Sequence, residues 1–213
     1  MIALEHAPWR AVPGLRHGFL PGRTEPTHRV TLPRQVHGNR VLTADPDGDR
    51  PEADGLATRV ASTSVGIVTA DCVPMLMVAS HRRVVAAVHA GWRGAAGGIV
   101  GTALAHLRDQ FDVEPADVEV ALGPAIGPCC YEVGPEVRIA FRATSGEATA
   151  AAWQRRNDRD VLDLRHAVRA LLHANGVERV TVIGPCTKCS PDFCSYRRDG
   201  ADAGRQVSFI GWT

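Results

Sequence analysis

Residues 70–94 read ADCVPMLMVASHRRVVAAVHAGWRG, and two short apolar runs inside this stretch predict the centre of the fold. Residues 75–79 and 84–89 are typical of buried strands, and the basic residues 80–83 between them predict a turn. Cys72 stands before the first strand, His89 ends the second, and Arg93 follows in a glycine-flanked segment. Functional side chains collect at strand ends and on loops held by a rigid sheet, so this stretch is also a candidate site.

The remaining pattern mixes strand and helix signals without a regular strand-helix-strand repeat. Apolar runs predict further strands at 17–20, 41–43, 66–70, 118–122, 179–183 and 206–211. Apolar residues spaced by three and four predict a helix at 95–110 and another that Asp163 caps and that ends before Gly176. Gly134-Pro135 predicts the start of a further helix that ends near residue 143. Residues 1–33 and 145–160 are expected to be irregular. We therefore predict one α+β domain over residues 1–213, with a mixed sheet as its core and helices packed on its faces.

Composition excludes several classes of protein. The 213-residue chain has a formal net charge of +1 and 5 % aromatic residues, which gives no general argument for binding nucleic acid or anionic lipid. No apolar run has the length of a signal peptide or a membrane span, so we expect a cytoplasmic protein with no membrane partner. Its six cysteines are then expected to be reduced thiols, some of them metal ligands. The oligomeric state is left open.

Three separated residues are candidate metal ligands. His37, Cys72 and His89 supply two imidazoles and a thiolate, which suit a zinc ion with a fourth position free for water. The same donors also bind copper. Their separations match no local motif, so spacing alone leaves open a capped surface histidine, a buried inert cysteine and a strand-end histidine.

A second cysteine pattern, Pro185-Cys186-Thr187-Lys188-Cys189, lies near the end of the chain. It resembles half of the zinc signature of nucleobase deaminases, but no histidine here is followed two residues later by glutamate. A structural zinc or iron–sulfur site would need a further ligand such as Cys129 or Cys130. Partly buried free thiols are the alternative.

Arginines are the candidates for holding an anion. Arg93 lies at the start of a predicted helix, where backbone N–H groups and the helix dipole favour negative charge. Arg197 and Arg198 follow Ser195-Tyr196, and the forked guanidinium suits phosphate. A solvated surface position is the alternative for each of them.

Taken together, six segments resemble, in order, the motifs of the YfiH-like family, whose members are described as laccase-domain polyphenol oxidases or zinc-dependent purine nucleoside phosphorylases. The segments are QVHG (35–38), ADG (53–55), ADCVP (70–74), HAGWRG (89–94), GPAIGPCCYEVG (123–134) and SYRRDG…GRQ (195–206). The resemblance implies that His37, Cys72 and His89 bind the metal, Zn²⁺ or Cu²⁺.

For function, the resemblance implies phosphorolysis of adenosine, inosine and methylthioadenosine, with adenosine deamination as a second activity. Arg93 and Asp71 are then the candidate catalytic residues, with Asp71 orienting a ligand, moving a proton or only capping its loop. Gln35, Arg93 and Arg197 are the candidate substrate-binding residues, and purine nucleoside and phosphate are the expected partners.

Three other functions stay open at this point. One is copper-dependent oxidation of phenols, although no His-x-His pair occurs among the nine histidines. Another is hydrolysis of muropeptide precursors, as proposed for some members of the resembling family. The last is a non-enzymatic member with a degenerate site. This alternative arises because the N-terminal segment 1–33 is shorter than is usual in that family, and because Arg23 matches the arginine of the family's N-terminal motif only loosely.

Overall fold

The computed structural model describes residues 3–213, which form thirteen strands and five α-helices. The strands are β1 (Leu15–Phe19), β2 (Val30–Thr31), β3 (Val41–Thr43), β4 (Gly55–Thr58), β5 (Ser64–Thr69), β6 (Val73–Ala79), β7 (Val84–Ala90), β8 (Glu119–Leu122), β9 (Glu132–Val133), β10 (Trp153–Arg156), β11 (Arg159–Leu162), β12 (Arg179–Val182) and β13 (Gln206–Trp212). The helices are α1 (Trp92–Ala96), α2 (Ile99–Phe111), α3 (Pro135–Ser145), α4 (Leu164–Ala174) and α5 (Tyr196–Asp199).

Strands β6 and β7 are the centre of a six-stranded mixed sheet with the order β12-β8-β6-β7-β4-β3. They pair antiparallel along their whole length, from Val73 opposite Ala90 to Ala79 opposite Val84. Arg83 adopts the left-handed conformation (φ 52°) and ends the turn between them. Every residue of both strands is buried, which is why the sequence shows continuous apolar runs rather than alternation.

The two faces of this sheet are covered by different layers. Met75 and Met77 face α2 and α4, where they join a core that includes Val100, Leu104 and Val168. The alternate residues, such as Leu76 and Val78, face a second sheet with the order β1-β13-β5-β2. A small third sheet, β10-β11-β9, completes the structure. The α+β prediction is confirmed, with the refinement that a second sheet covers the face opposite the helices.

Two predicted segments differ from the structure. The helix expected over 95–110 is divided at Gly97 and Gly98, because Gly98 takes a left-handed conformation (φ 87°) that separates α1 from α2. The prediction of a loop over residues 145–160 is wrong, because this segment contains a 3-10 helix (Gly146–Ala152) and the hairpin β10-β11. Asn157 and Asp158 both have positive φ, which is the backbone that tight hairpin turns require.

The N-terminal segment is more ordered than expected. Residues 7–11 form a 3-10 helix, and β1 pairs with β13 from Leu15 opposite Trp212 to Phe19 opposite Ser208. Trp9 is buried in the layer between the two large sheets. The remaining predicted elements agree with the structure, including the cap of α4, where the Asp163 side chain accepts the His166 N–H.

Candidate active site

His37, Cys72 and His89 come from three segments that the central sheet brings together. Their ligand atoms all lie within 4.8 Å of one another. His89 lies near the end of β7 opposite Pro74 of β6, and Cys72 lies in the short connection that leads into β6. His37 lies in the loop before β3, in a left-handed conformation (φ 59°), with its ring edge-on to His89 at 4.8 Å between ring centroids.

A buried carboxylate, Asp54, holds two of these segments in place. It accepts the backbone N–H groups of Val36, His37 and Gly38, and the Nδ1–H of His89 at 2.8 Å. The backbone N–H of His89 also donates to the Asp54 carbonyl. Because Nδ1 donates its proton to Asp54, Nε2 of His89 is the nitrogen that faces Cys72 and is available to a metal ion. A carboxylate behind a ligating histidine is the usual support of a metal site.

These contacts shift the pKa values of Cys72, His89 and Asp54. Burial alone would raise the pKa of Cys72, but hydrogen bonds from His37 and His89 and their charge outweigh it and lower this pKa to about 7. Burial would lower the pKa of His89, but Asp54 and Cys72 raise it to about 9. Burial would raise the pKa of Asp54, and the bonds from His89 and Gly38 lower it below its usual value.

The space in front of the three side chains is kept free by a glycine. A Cβ built on Gly91 would lie 3.0 Å from Sγ of Cys72 and 3.4 Å from Cδ2 of His37. Two imidazole nitrogens and one sulfur are a donor set typical of zinc, and also of copper, in proteins. The residues therefore fit a transition-metal ion with three protein ligands.

The group opens into a cavity of about 640 Å³, large enough for a small metabolite. The lining includes all seven predicted site residues, namely Gln35, His37, Asp71, Cys72, His89, Arg93 and Arg197. It also includes Arg34, Arg50, Trp92, Tyr131, Tyr196 and Arg205. Five arginines and one aspartate in this lining favour an anionic ligand.

Asp71 has both carboxylate oxygens occupied. Oδ1 accepts the hydroxyl of Thr187 and Oδ2 accepts the backbone N–H of Arg197, each at 2.6 Å. Its backbone is left-handed (φ 87°), and its carbonyl accepts the Ile126 N–H. These bonds connect the residue before Cys72 to two distant loops, so the geometry favours orientation of a ligand segment over proton transfer.

The candidate substrate-binding residues differ in how much of each side chain is available. The Gln35 amide both donates to and accepts from the backbone of Val68, which fixes its loop against β5. Arg197 donates from Nη1 to the Glu132 carbonyl and lies over the Tyr131 ring. Within residues 3–213 the Arg93 guanidinium stacks on Trp92, 4.5 Å from the ring centroid, and has no hydrogen bond or ion pair.

Arg198, the alternative anion-holding arginine, has a structural contact set. Its guanidinium donates to the carbonyls of Thr187, Lys188, Ser190 and Phe193 and pairs with Asp199. It closes the loop that follows β12, and it is not among the residues that line the cavity.

Sequence reasoning missed Asp54 and Tyr131. Both lie in segments that carried the resemblance, ADG and GPAIGPCCYEVG, but nothing in their spacing indicates a role. Asp54 is fully buried, and Tyr131 has a pKa raised mainly by burial and next by the nearby charge of Cys72. The role of Asp54 depends on its burial and its hydrogen bonds, which become visible only in the structure.

Fold and site together define an α+β protein with three possible metal ligands in the lining of an arginine-rich cavity. The sequence model of the family described as multi-copper polyphenol oxidoreductase laccase matches residues 20–213. The chain belongs to this family. Within residues 3–213 no helix has the length and apolar character needed to cross a membrane.

Curated relatives carry names of nucleoside enzymes. Purine nucleoside phosphorylase YlmD of Geobacillus stearothermophilus is 37 % identical over 206 residues, covering 88 % of this chain and 75 % of the relative. Purine nucleoside phosphorylase YfiH of Escherichia coli is 38 % identical over 179 residues, covering 83 % and 71 %. Adenosine deaminase RL5 of an unknown prokaryotic organism is 35 % identical over 203 residues, covering 85 % and 74 %. The YfiH-like resemblance and the expectation of an enzyme are confirmed.

Solved structures agree with this assignment. The crystal structure of YlmD from Geobacillus stearothermophilus superposes with a TM-score of 0.85 at 30 % identity, covering 94 % of this chain and 93 % of that one. The Bacillus licheniformis protein YfiH superposes with a TM-score of 0.86 at 27 % identity, covering 96 % and 94 %. The fold therefore extends over nearly the whole of both relatives.

Proposed function

We propose that this protein is a zinc-dependent purine nucleoside phosphorylase. It converts adenosine, inosine and methylthioadenosine to the free base and pentose 1-phosphate, with adenosine deamination as a second activity. The observation that carries the proposal is that three possible metal ligands share one cavity of about 640 Å³ with Arg93, whose guanidinium has no hydrogen-bond partner within residues 3–213. The names of the relatives support the same reaction class.

His37, Cys72 and His89 would hold the metal. When bound there, Zn²⁺ supplies a Lewis acid and a means of activating water near neutral pH. Asp54 keeps the Nδ1 proton of His89 in place, so that Nε2 is the ligating atom. Gly91 leaves the volume in front of the sulfur and the rings free of side-chain atoms.

Phosphate would bind to the arginines. In phosphorolysis a phosphate oxygen forms a bond to the anomeric carbon of the sugar, and the bond from that carbon to the purine nitrogen breaks. Among the described residues the Arg93 guanidinium has no hydrogen-bond partner, which suits a bidentate contact to phosphate. Arg197 has donors beyond the one used on Glu132, and would orient the same anion from α5.

Gln35 and Asp71 would act by positioning. Gln35 aligns its loop on Val68 of β5 and thereby sets the place of His37, two residues on. Asp71 fixes the main chain beside Cys72 through Thr187 and Arg197. The purine nucleoside and phosphate are the proposed partners, and a cytoplasmic location is proposed because the six free cysteines suit a reducing compartment.

Copper-dependent phenol oxidation is the alternative that the family description suggests. Oxidases that reduce dioxygen by four electrons use several metal ions with many imidazole ligands. Within residues 3–213 the residue groups able to bind a metal contain two histidines, His37 and His89. We therefore place nucleoside chemistry before oxidation.

The decisive experiment incubates metal-loaded protein with adenosine, with and without phosphate, and separates the products. Adenine and ribose 1-phosphate that form only with phosphate support the phosphorylase, and inosine that forms without phosphate supports the deaminase. His89→Ala and Cys72→Ala should abolish turnover, whereas His81→Ala, an exposed histidine at the far end of the same hairpin, should not.

Different negative results would point to different alternatives to the phosphorylase. No turnover of any nucleoside by metal-loaded wild-type protein would contradict the proposal. Phenol oxidation by copper-loaded protein, or hydrolysis of a muropeptide precursor, would then identify the alternative. Absence of all three activities would indicate a non-enzymatic member.

A further inference from the structure

Four cysteines outside the cavity lining lie together at the end of the six-stranded sheet. Cys129 and Cys130 belong to the loop after β8, and Cys186 and Cys189 to the loop after β12. The two loops meet because β8 and β12 are parallel neighbours and Ala125 bridges to Cys186. All four sulfur atoms lie within 4.8 Å of one another, with Sγ of Cys189 3.3 Å from Cys130 and 3.6 Å from Cys129.

We propose that these four cysteines bind one structural Zn²⁺ ion, in addition to the metal at His37, Cys72 and His89. Zinc–sulfur bonds of about 2.3 Å in a tetrahedron place the sulfurs about 3.8 Å apart, within the range seen here. Four cysteine ligands form a closed site with no position for water, which is typical of structural zinc. An iron–sulfur cluster distributes its cysteines over several iron atoms, so it requires sulfurs that are farther apart.

One backbone donor and several cationic residues lie beside the four cysteines, and they favour a doubly negative zinc–thiolate group. The backbone N–H of Gly127 donates to Sγ of Cys186 at 3.1 Å. Arg156 donates to the carbonyl of Cys129, and Arg197 lies at 3.5 Å from the carbonyl of Cys130. Lys188, the only lysine of the chain, lies between Cys186 and Cys189. Hydrogen bonds and positive charge around the sulfurs stabilise the thiolate form.

The cysteine cluster is connected to the cavity through Asp71. Thr187, next to Cys186, donates its hydroxyl to the Asp71 carboxylate at 2.6 Å, and Ile126 donates its N–H to the Asp71 carbonyl. Asp71 directly precedes Cys72. A zinc ion that joins the two loops would therefore fix the main chain that carries a ligand of the other metal.

Metal content tests the proposal. Protein is purified under reducing conditions, loaded with Zn²⁺, desalted and measured by elemental analysis. Wild type should hold about two zinc ions per chain, Cys189→Ser and Cys72→Ser about one each, and the double variant none. Cys194→Ser is the matched control, because Cys194 lies outside the cluster, and it should keep both ions.

Cobalt substitution assigns the ions to the sites. Thiolate-to-Co²⁺ charge-transfer absorption grows with the number of sulfur ligands, so Cys189→Ser should remove most of it and Cys72→Ser only a minor part. If Cys189→Ser does not fold, Cys189→His keeps four ligands, and it should retain the second ion with weaker charge transfer.

Three results would overturn the proposal. One is a single zinc ion in wild type that Cys72→Ser removes and Cys189→Ser leaves unchanged. Another is a Cys130–Cys189 disulfide that persists in zinc-loaded protein prepared under reducing conditions, seen by mass spectrometry of peptides. The third is iron in place of zinc when both metals are offered.

Discussion

Asp54 accepts the Nδ1–H of His89 at 2.8 Å while the same carboxylate accepts three successive backbone N–H groups around His37. One buried group therefore sets the ring orientation of one candidate ligand and the backbone of another. The four donors lie up to 35 residues from Asp54 in sequence. Because all four donors bind the same carboxylate, the two histidine side chains face the same point.

Asp54→Asn should weaken metal binding about 10- to 100-fold. The amide has an N–H₂ group where the carboxylate accepts hydrogen bonds, so it opposes the backbone donors or drives the His89 proton to Nε2, where ligation is lost. The measurement is zinc affinity by competition with a chromophoric chelator. Asp49→Asn, in the exposed loop before β4, is the control and should bind as wild type. Equal affinity in both variants would contradict the role of Asp54.

Gly91→Ala should also reduce metal occupancy, for a steric reason. The added Cβ would lie 3.0 Å from Sγ of Cys72. This contact forces the sulfur away from the point that the two histidine rings also face. Gly101→Ala is the matched control, since its Cβ meets only the Asn175 side chain at 3.7 Å.

The two glycine variants should differ in stability as well as in metal content. Gly101 lies inside α2, so alanine there should raise the free energy of unfolding by about 0.5–1 kcal/mol. Metal content by elemental analysis and unfolding in urea measure both effects. Full zinc content in Gly91→Ala would show that the sulfur has room to move.

Elements with a continuous apolar run or a clear helical period could be predicted from sequence, and a polar hairpin with neither could not. Strands β6 and β7 are buried along their whole length, so their apolar runs are unbroken. The hairpin β10-β11 was missed because β10 exposes Gln154, Arg155 and Arg156, which leaves no strand-like alternation. The Asn157-Asp158 pair was its only signal, since these residue types accept positive φ.

In the candidate site as well, some residues could be predicted from the sequence and others could not. His37, Cys72 and His89 carry reactive side chains in segments with a distinctive resemblance, so they could be named before their geometry was known. The positions of Asp54 and of the loop pair around Asp71 depend on hydrogen bonds between distant segments, such as Thr187 to Asp71 over 116 residues. Pairings of this kind leave no periodic pattern in the chain.

Arg93→Ala should raise the KM for phosphate. A charge-assisted hydrogen bond is worth about 1.5–3 kcal/mol, which corresponds to roughly a 10- to 100-fold weaker interaction. Phosphate-independent deamination of adenosine should change much less, because it needs no phosphate. Initial rates at varied phosphate measure the effect, with Arg142→Ala on the exposed face of α3 as control. A KM for phosphate equal to that of wild type would exclude Arg93 from phosphate binding.

A pH-dependent contribution to stability is expected away from the metal site. His17 is buried, and its Nε2 accepts the backbone N–H of His6 at 2.9 Å, which requires a neutral ring. Burial is the main reason that the pKa of His17 lies below its ordinary value, against an opposing effect of Glu5 and with smaller contributions from His6 and Arg10. The ring also packs edge-on against Trp9.

Because the unfolded chain binds a proton at His17 more readily than the folded one, stability should fall as the pH drops below the unfolded pKa of about 6.5. His17→Gln keeps an acceptor for the His6 N–H and does not titrate. Urea unfolding at about pH 7.5 and about pH 5 should therefore show a smaller loss of stability for this variant than for wild type, since all other titrating groups are shared. His81→Gln, an exposed histidine, should behave as wild type. Equal losses in wild type and His17→Gln would mean that His17 is protonated within the fold, and the bond from His6 would then have to break.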